Sequence, residues 1–459
     1  MAIEIHDFVD PGLGHSSYVI DIGDGTAAVV DPPRFPDAHE HVTASRGLRL
    51  AWTIDTHSHA DYVTGSPSLS GRTGATFVAP VASRLETAHT GVVDGQRVQL
   101  APGIDLVAIA TPGHTPDHHG YALHDHGRPV ALFTGGSLMV GTVGRTDLCG
   151  PHLADALAHE MYKSLRRFDD LPDDVGVFPT HGAGSFCSAP GDTARTSTLG
   201  HERATNPFLR AGTEDEFVAQ LTAGFGTFPT YFARLPELNR RGPRRIDNIP
   251  SLKRLSVASV AAHLTRGAVL VDSRPISSFA TGHVPGSLSN TLRPVFGSWL
   301  GWLVAAGRPL IFVAATDDRA ASDDNGGNRT ELVRQCLDIG HENLLGQLEG
   351  GTEAWAASGR NLHTIALVGP TDISSALIDV RQANEFAGGH VPGARNMELA
   401  AVHDMELPSG PVTMMCGHGE RAMTAASILA ARDHATVCVL DGGPSDWAGA
   451  TGRSLEPGA

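Results

Sequence analysis

Cysteine is scarce in this chain of 459 residues: five in all, at positions 149, 187, 336, 416 and 438, an odd number without a C-x-x-C pair. That excludes a disulfide framework and a thiolate zinc site, so each cysteine has to be judged alone. Long hydrophobic runs are missing as well. No apolar stretch approaches the ~18 residues that a membrane helix needs. The opening "MAIEIHDFVDPGLG" carries acidic residues and no charged-then-apolar leader, which sets the expectation of a cytoplasmic protein without a membrane partner. Basic residues are outnumbered, 34 against 50 acidic, for a net charge of −16. A nucleic-acid partner is not expected from that balance, because phosphate binding wants a basic face. The one basic concentration, "NRRGPRR" at Asn239 to Arg245, reads as a solvated linker. Histidine, by contrast, is plentiful: 24 residues, 15 of them in the first two hundred positions. Histidine-rich, cysteine-poor sites suit zinc or non-haem iron.

At ~150 residues per domain the length implies two to four domains. The first segment opens with "SSYVIDIG" and "TAAVVDPP", which alternate in polarity around a Gly-Asp-Gly turn at Gly23 to Gly25 and predict an antiparallel hairpin. Further strands are predicted at "LAWTIDTH", "TFVAP", "IDLVAIATPGH", "GYALHD", "VALFTGG" and "VGVFPTHG", and a helix over Leu153 to Phe168. The histidine motifs at His57, His114 and His181 fall where strands end, a natural place for a composite site. Beyond the basic linker the chain repeats itself. "LVDSRPISSFATGHVPGS", Leu270 to Ser287, aligns without gaps to "LIDVRQANEFAGGHVPGA", Leu377 to Ala394, at an offset of 107 residues. Later, "LEGGTEAW" matches "LDGGPSDW". So long a period means duplicated domains, and the strand–helix alternation predicts parallel sheets covered by helices.

In the second repeat "VTMMCGHGERAMTAASILA" passes from a buried strand through a short loop into an alanine-rich helix. Cys416 begins the loop, and Gly417, His418, Gly419, Glu420 and Arg421 complete it. Backbone N–H groups wrapped around a sulfur, together with a helix N-terminus, favour a thiolate nucleophile. An arginine such as Arg421 can hold an anionic substrate group. The whole repeat resembles rhodanese, through its D-V-R and G-H-V-P-G-A patterns and its six-residue loop. That resemblance implies a persulfide carried on Cys416 between a sulfur donor and a thiophilic acceptor, substrate contacts from Gly417 to Glu420, and framework roles for Asp379 and Arg381. In the first repeat Ala314 stands at the position of Cys416. Alanine cannot carry sulfur, so that domain is expected to be catalytically silent. Cys336, in the helical pattern "ELVRQCLDIG", is expected in a core.

"THSHADY", "TPGHTPDHHG" and "PTHGAG", in that order, resemble the histidine skeleton of the metallo-β-lactamase fold. Three histidines can share one metal and leave a position open. Within that fold the chain is similar to persulfide dioxygenases, through "THSHADYVTG", "TPGHTPDHHGY", "LFTGGSLMVGTVGRTDL" and "YFARLPELNRRGP". The resemblance implies one Fe(II), with Zn(II) the alternative, and oxidation of a low-molecular-weight thiol persulfide by O₂ to sulfite. It places the two iron histidines at His57 and His114. The third ligand should be an aspartate, but Gly136 occupies its position, and Tyr62 replaces a histidine at a second-metal position. Three arrangements remain: a neutral set of His57, His59 and His114, recruitment of Asp61 or His181, or an empty site. His118, His119, His124 and His126 read as solvated rather than ligating. Cys149 and Cys187 read as inert, and Arg145, with Asp147, as either a substrate contact or a loop pin.

The expected architecture is α/β: an αββα metallo-β-lactamase sandwich over 1–245, a rhodanese-like domain without its cysteine over 250–362, and a rhodanese domain with Cys416 over 365–459. The expected function is sulfur transfer through Cys416 coupled to persulfide oxidation, with thiol persulfide, thiosulfate or sulfite as small-molecule partners and association of like subunits. The alternatives are a metal-dependent thioester hydrolase of the glyoxalase II type, and a non-catalytic persulfide-docking domain beside the sulfurtransferase.

Overall fold

A computed structural model describes residues 3–182, 185–187, 194–314, 324–373, 375–404, 410–432 and 436–458. The chain divides into two compact units, Met1–Asn248 with Leu337–Gly340, and Ile249–Cys336 with His341–Ala459.

Alternation builds the first unit. Ser16–Asp21 pairs antiparallel with Thr26–Val30, the hairpin that the Gly-Asp-Gly turn predicts. These two strands join Glu4–Val9, Arg49–Ile54, Thr76–Pro80 and Thr90–Val92 in a six-stranded sheet whose order follows the chain. A second six-stranded sheet runs Ser197–Thr198, Gly176–Pro179, Arg128–Gly135, His119–Asp125, Ile104–Ala110 and Arg97–Ala101. Along Ser16–Asp21, Tyr18 and Ile20 share a buried core with Leu106, Tyr121, Leu123 and Phe133 of the second sheet. Val19 points the other way and packs with Val29, Leu50 and Leu69, the last on the helix Ser66–Thr73. The second sheet divides its faces likewise, Leu132 and Ala122 meeting Met161 and Leu165 of the helix Ala154–Arg166 and Phe217 of Glu214–Ala223. Period-two side chains on strands buried on both faces thus produce the αββα layering.

The second unit holds two five-stranded parallel sheets of identical strand order. One runs Arg254–Leu255, Leu344–Leu348, Leu310–Val313, Val269–Asp272, Leu288–Ser289; the other runs Ala366–Val368, Val437–Leu440, Val412–Met415, Ala376–Asp379, Arg395–Asn396. The shared motif repeats its bonding atom for atom. Arg274 Nη2 spans Asp272 and the Gly282 carbonyl at 2.7 and 2.8 Å, and Arg381 Nη2 spans Asp379 and the Gly389 carbonyl at the same distances. His283 stacks on Phe279 and His390 on Phe386, at centroid distances of 3.9 and 3.8 Å. Asp379 and Arg381 are therefore framework, as expected. Cys336 is buried in a core. Among the described residues no helix is long and apolar enough to cross a membrane.

Candidate active sites

In the first unit, strands of both sheets release their chains toward one site: Thr26–Val30 into Asp31, Arg49–Ile54 into His57, Ile104–Ala110 into His114, and Gly176–Pro179 into His181. Second-layer bonds fix the imidazoles. The Thr56 hydroxyl donates to Asp31 Oδ2 at 2.8 Å, so its oxygen accepts from His57 Nδ1 at 2.8 Å. His114 Nδ1 donates to the Arg145 carbonyl at 2.9 Å. Both rings are left with Nε2 as the free lone pair, and His181 Nε2 lies 3.4 Å from His57 Nε2. One ligand atom from each of His57, His114 and His181 falls within 4.8 Å of the others, all three residues being buried. Burial holds His57 well below the usual histidine range and brings His114 down to about 3, with neighbouring imidazoles adding to the effect. Neutral rings are the form that a cation binds.

His59 is placed differently. Its Nε2 faces Asp31 Oδ1 at 3.2 Å and the Tyr62 hydroxyl at 3.1 Å. Burial alone would lower its pKa, but the carboxylate of Asp31, with those of Asp55 and Asp61, lifts it to about 9. Its Nδ1 and Asp61 Oδ1 are buried without a hydrogen-bond partner, Asp61 Oδ2 faces His181 Nδ1 at 3.3 Å, and His59, Asp61 and His181 form a second potential donor group beside a third of Asp31, Asp55 and His59. Buried imidazole and carboxylate atoms so sparsely paired at the strand ends are what a cation would satisfy. The two-histidine, one-carboxylate set does not fit. A Cβ built on Gly136 would come within 2.2 Å of the His114 ring, which fills the space an aspartate would need.

The solvated reading of His118 and His119 is overturned. Both are buried, and His118 bridges Thr111 Oγ1 at 2.7 Å and the Gly136 N–H at 2.8 Å, because its segment turns beneath the site. His124 is half-buried and His126 exposed. Arg145 lends the site its carbonyl while its guanidinium is occupied by both Asp147 oxygens at 2.7 and 2.8 Å and by the Gly226 carbonyl at 2.6 Å, over the Phe228 ring. That is the geometry of a loop pin. Cys187 is buried near Asp61, and burial together with that charge holds it as a thiol. The sequence reading missed Asp31, Asp55 and His15. Asp31 accepts from the Thr56 N–H at 2.7 Å and from the Thr180 hydroxyl besides His59. His15 is buried, stacks on Tyr62 at 4.0 Å and bridges the backbone of His181. The signal for Asp31 was an acid closing a strand before two prolines.

In the second unit, Val412–Met415 delivers Cys416 to the mouth of the helix Glu420–Ala430. Cys416 is 1 % exposed, and its Sγ accepts the Gly419 N–H at 3.1 Å. His418 stands exposed at the rim. The Gly-Gly element explains itself here, since a Cβ on Gly443 would sit 2.0 Å from the Gly417 carbonyl oxygen. Only a bare backbone lets the loop lie so close. Arg421 makes a bidentate ion pair with Glu385 at 2.6 and 2.8 Å, a partner from the helix Ala383–Ala387 that the sequence did not suggest.

A family model for the rhodanese-like domain matches residues 256–358 and 366–450. A probable metallo-hydrolase of Burkholderia pseudomallei is 30 % identical over 285 residues, spanning 52 % of this chain and 93 % of that one. The human mitochondrial persulfide dioxygenase ETHE1 is 34 % identical over 174 residues, 38 % of this chain and 61 % of its own length. Among solved structures, a metallo-β-lactamase from Staphylococcus aureus superposes with a TM-score of 0.65 at 24 % identity, covering 76 % of this chain and 99 % of that one, and so shares the fold. The N-terminal part therefore belongs with the metallo-β-lactamase-fold metallo-hydrolases and is similar to persulfide dioxygenase, and the C-terminal region carries rhodanese-like domains.

Proposed function

We propose that this protein is a sulfurtransferase that carries sulfane sulfur as a persulfide on Cys416, coupled to an N-terminal domain that acts on a thiol persulfide. One observation carries the reading: Cys416 begins a loop of the rhodanese pattern at a helix mouth, with a backbone N–H aimed at its sulfur. A negative charge on that sulfur, or on the outer sulfur of a persulfide, is what such a donor stabilises. Low-molecular-weight thiol persulfides, thiosulfate and sulfite are the partners this chemistry requires. Cys149, Cys187, Cys416 and Cys438 are free thiols, which agrees with a reducing compartment such as the cytoplasm. Cys416→Ser should abolish sulfur transfer from thiosulfate; transfer that survives the change overturns the assignment.

For the N-terminal site the donor set supports one divalent ion on His57, His114 and His181. Two further donor groups adjoin it: His59, Asp61 and His181, which shares His181, and Asp31, Asp55 and His59, whose Asp31 is already engaged by Thr56 and His59. Iron, when bound, supplies O₂ chemistry, and zinc supplies Lewis acidity alone. The residues of the chain hold and orient: Thr56 and the Arg145 carbonyl keep both Nε2 atoms turned to one point, and Tyr62 with Asp31 fixes the His59 ring. Similarity to ETHE1 supports oxidation of a thiol persulfide, and similarity to hydroxyacylglutathione hydrolases supports thioester hydrolysis. Metal analysis of anaerobically purified protein, then oxygen uptake with a thiol persulfide, separates the two. One iron per chain and sulfite production support oxidation. Thioester hydrolysis without uptake supports the hydrolase, and a metal-free chain without either activity sinks both.

A further inference from the structure

The repeat that lacks the sulfur-carrying cysteine reaches the loop of the repeat that has it. Ile276 Cδ1 stands 2.7 Å from where a Cβ on Gly419 would be, and the Trp299 ring faces the Arg421 guanidinium at 5.7 Å. Farther along the helix that follows Cys416, Ser427 Oγ accepts the Ser289 N–H at 3.0 Å. Between Leu288–Ser289 and the helix Phe296–Leu303 lies Arg293. Gln335 anchors that segment, its Nε2 donating to the Arg293 carbonyl at 3.2 Å and its Oε1 accepting the Gly297 N–H at 2.9 Å.

Two arginines therefore stand at the Cys416 site, and they are not equivalent. Glu385 grips Arg421 with both oxygens and neutralises it. Arg293 is partly buried and near enough to Cys416, Glu420 and Arg421 to feel their charges, yet among the described residues its guanidinium has neither a carboxylate nor a hydrogen-bond partner. Burial works against its charge, Glu420 and the Cys416 sulfur offset part of that, and Arg421 adds to it. A partly desolvated guanidinium whose N–H groups are not engaged by a direct ion pair binds a small oxyanion well, because its fork matches paired oxygens.

We infer that Arg293, lent by the cysteine-less repeat, is the anion-binding residue of the Cys416 site and takes the oxyanion end of a sulfonate-type sulfur donor such as thiosulfate. The inference rests on the sulfurtransferase reading of Cys416. In the step it serves, the Cys416 thiolate attacks the outer sulfur of thiosulfate. A sulfur–sulfur bond forms to Cys416 as the bond to the oxidised sulfur breaks, and the electron pair leaves with sulfite. An acceptor thiolate then attacks the outer persulfide sulfur, and the electron pair of the breaking bond returns to Cys416. Arg293 holds the three-oxygen end before the attack and as it departs. No oxidant or reductant is consumed.

Steady-state sulfur transfer from thiosulfate by the full chain tests this. Arg293→Ala should raise KM for thiosulfate at least about tenfold with a much smaller change in kcat, and should weaken competitive inhibition by sulfite in parallel. Arg293→Lys, which keeps the charge without the fork, should recover part of both. An unchanged KM and unchanged sulfite inhibition in Arg293→Ala overturn the inference. So does an equal loss in Arg293→Lys and Arg293→Ala confined to kcat. Cys416→Ser keeps the two claims apart: if it is inactive while Arg293→Ala behaves as the parent, only the role of Arg293 fails; if it stays active, the Cys416 reading fails with it.

Discussion

At position 136 a single added carbon would meet the His114 ring at 2.2 Å, so the N-terminal site has closed over the place where a carboxylate ligand would stand. Gly136→Asp is accordingly expected to weaken metal binding, by about tenfold or more, because the new side chain must displace a ligand before it can become one. Titration of metal-depleted protein with Zn(II) measures this, and tighter binding by the variant would show that His114 yields freely. His39 illustrates a different consequence of burial. Its Nε2 shares a hydrogen bond with Ser17 Oγ at 2.7 Å, and burial, aided by His15, brings its pKa down to about 3. The unfolded chain takes up a proton there below the ordinary value of 6.5, and the folded chain does so only near 3. The contribution is therefore fully present above 6.5, and is lost as pH falls from 6.5 toward 3, at up to about 1.4 kcal/mol per pH unit. His39→Gln should flatten that acid-side loss in denaturation curves taken across this range; an unaltered slope would mean that His39 does not stay neutral.

The helix that follows Cys416 depends on how its first turn is made. Gly419 caps it at φ = 97°, in the left-handed region, while donating its N–H to Cys416 Sγ. Gly419→Ala should cost about 1–2 kcal/mol through backbone strain, push against Ile276 and cut sulfur transfer by about tenfold. Gly449, within the helix Pro444–Thr451 and open on its side-chain face, is the contrast. Gly449→Ala should stabilise by up to about 1 kcal/mol and leave transfer alone. Thermal unfolding and thiosulfate kinetics on both variants check the pair, and equal effects would deny the cap its role. Elements such as these were legible beforehand. The Ser16–Val30 hairpin declares itself in alternation around a Gly-Asp-Gly turn, and the helix at Ala154–Arg166 in its apolar spacing. The strand-end histidines declare the site, and the loop at Cys416 its own chemistry. Burial set by distant segments was not legible. His118 looks like any histidine of a crowded loop until the sheet folds it beneath Gly136. Glu385 lies 36 positions before Arg421, and Arg293 belongs to another repeat; neither spacing carries a periodic signal.

The two candidate sites lie in separate compact units of the chain. Removing metal with a chelator should lower the melting transition of the first unit and abolish oxygen uptake with a thiol persulfide, leaving sulfur transfer from thiosulfate unchanged. Loss of transfer on chelation would tie Cys416 to the metal. The two proposed reactions suit one chain, because each would handle the sulfane sulfur that the other supplies or consumes. The claim on which the rest depends is that Cys416 itself carries the sulfur. Mass measurement of the intact chain after incubation with thiosulfate, followed by mapping of the modified peptide, tests it most directly. The account predicts one added sulfur atom on the peptide containing Cys416, removed by an acceptor thiol and absent from Cys416→Ser. Sulfur retained by Cys416→Ser, or found on Cys149 or Cys438 instead, would contradict it.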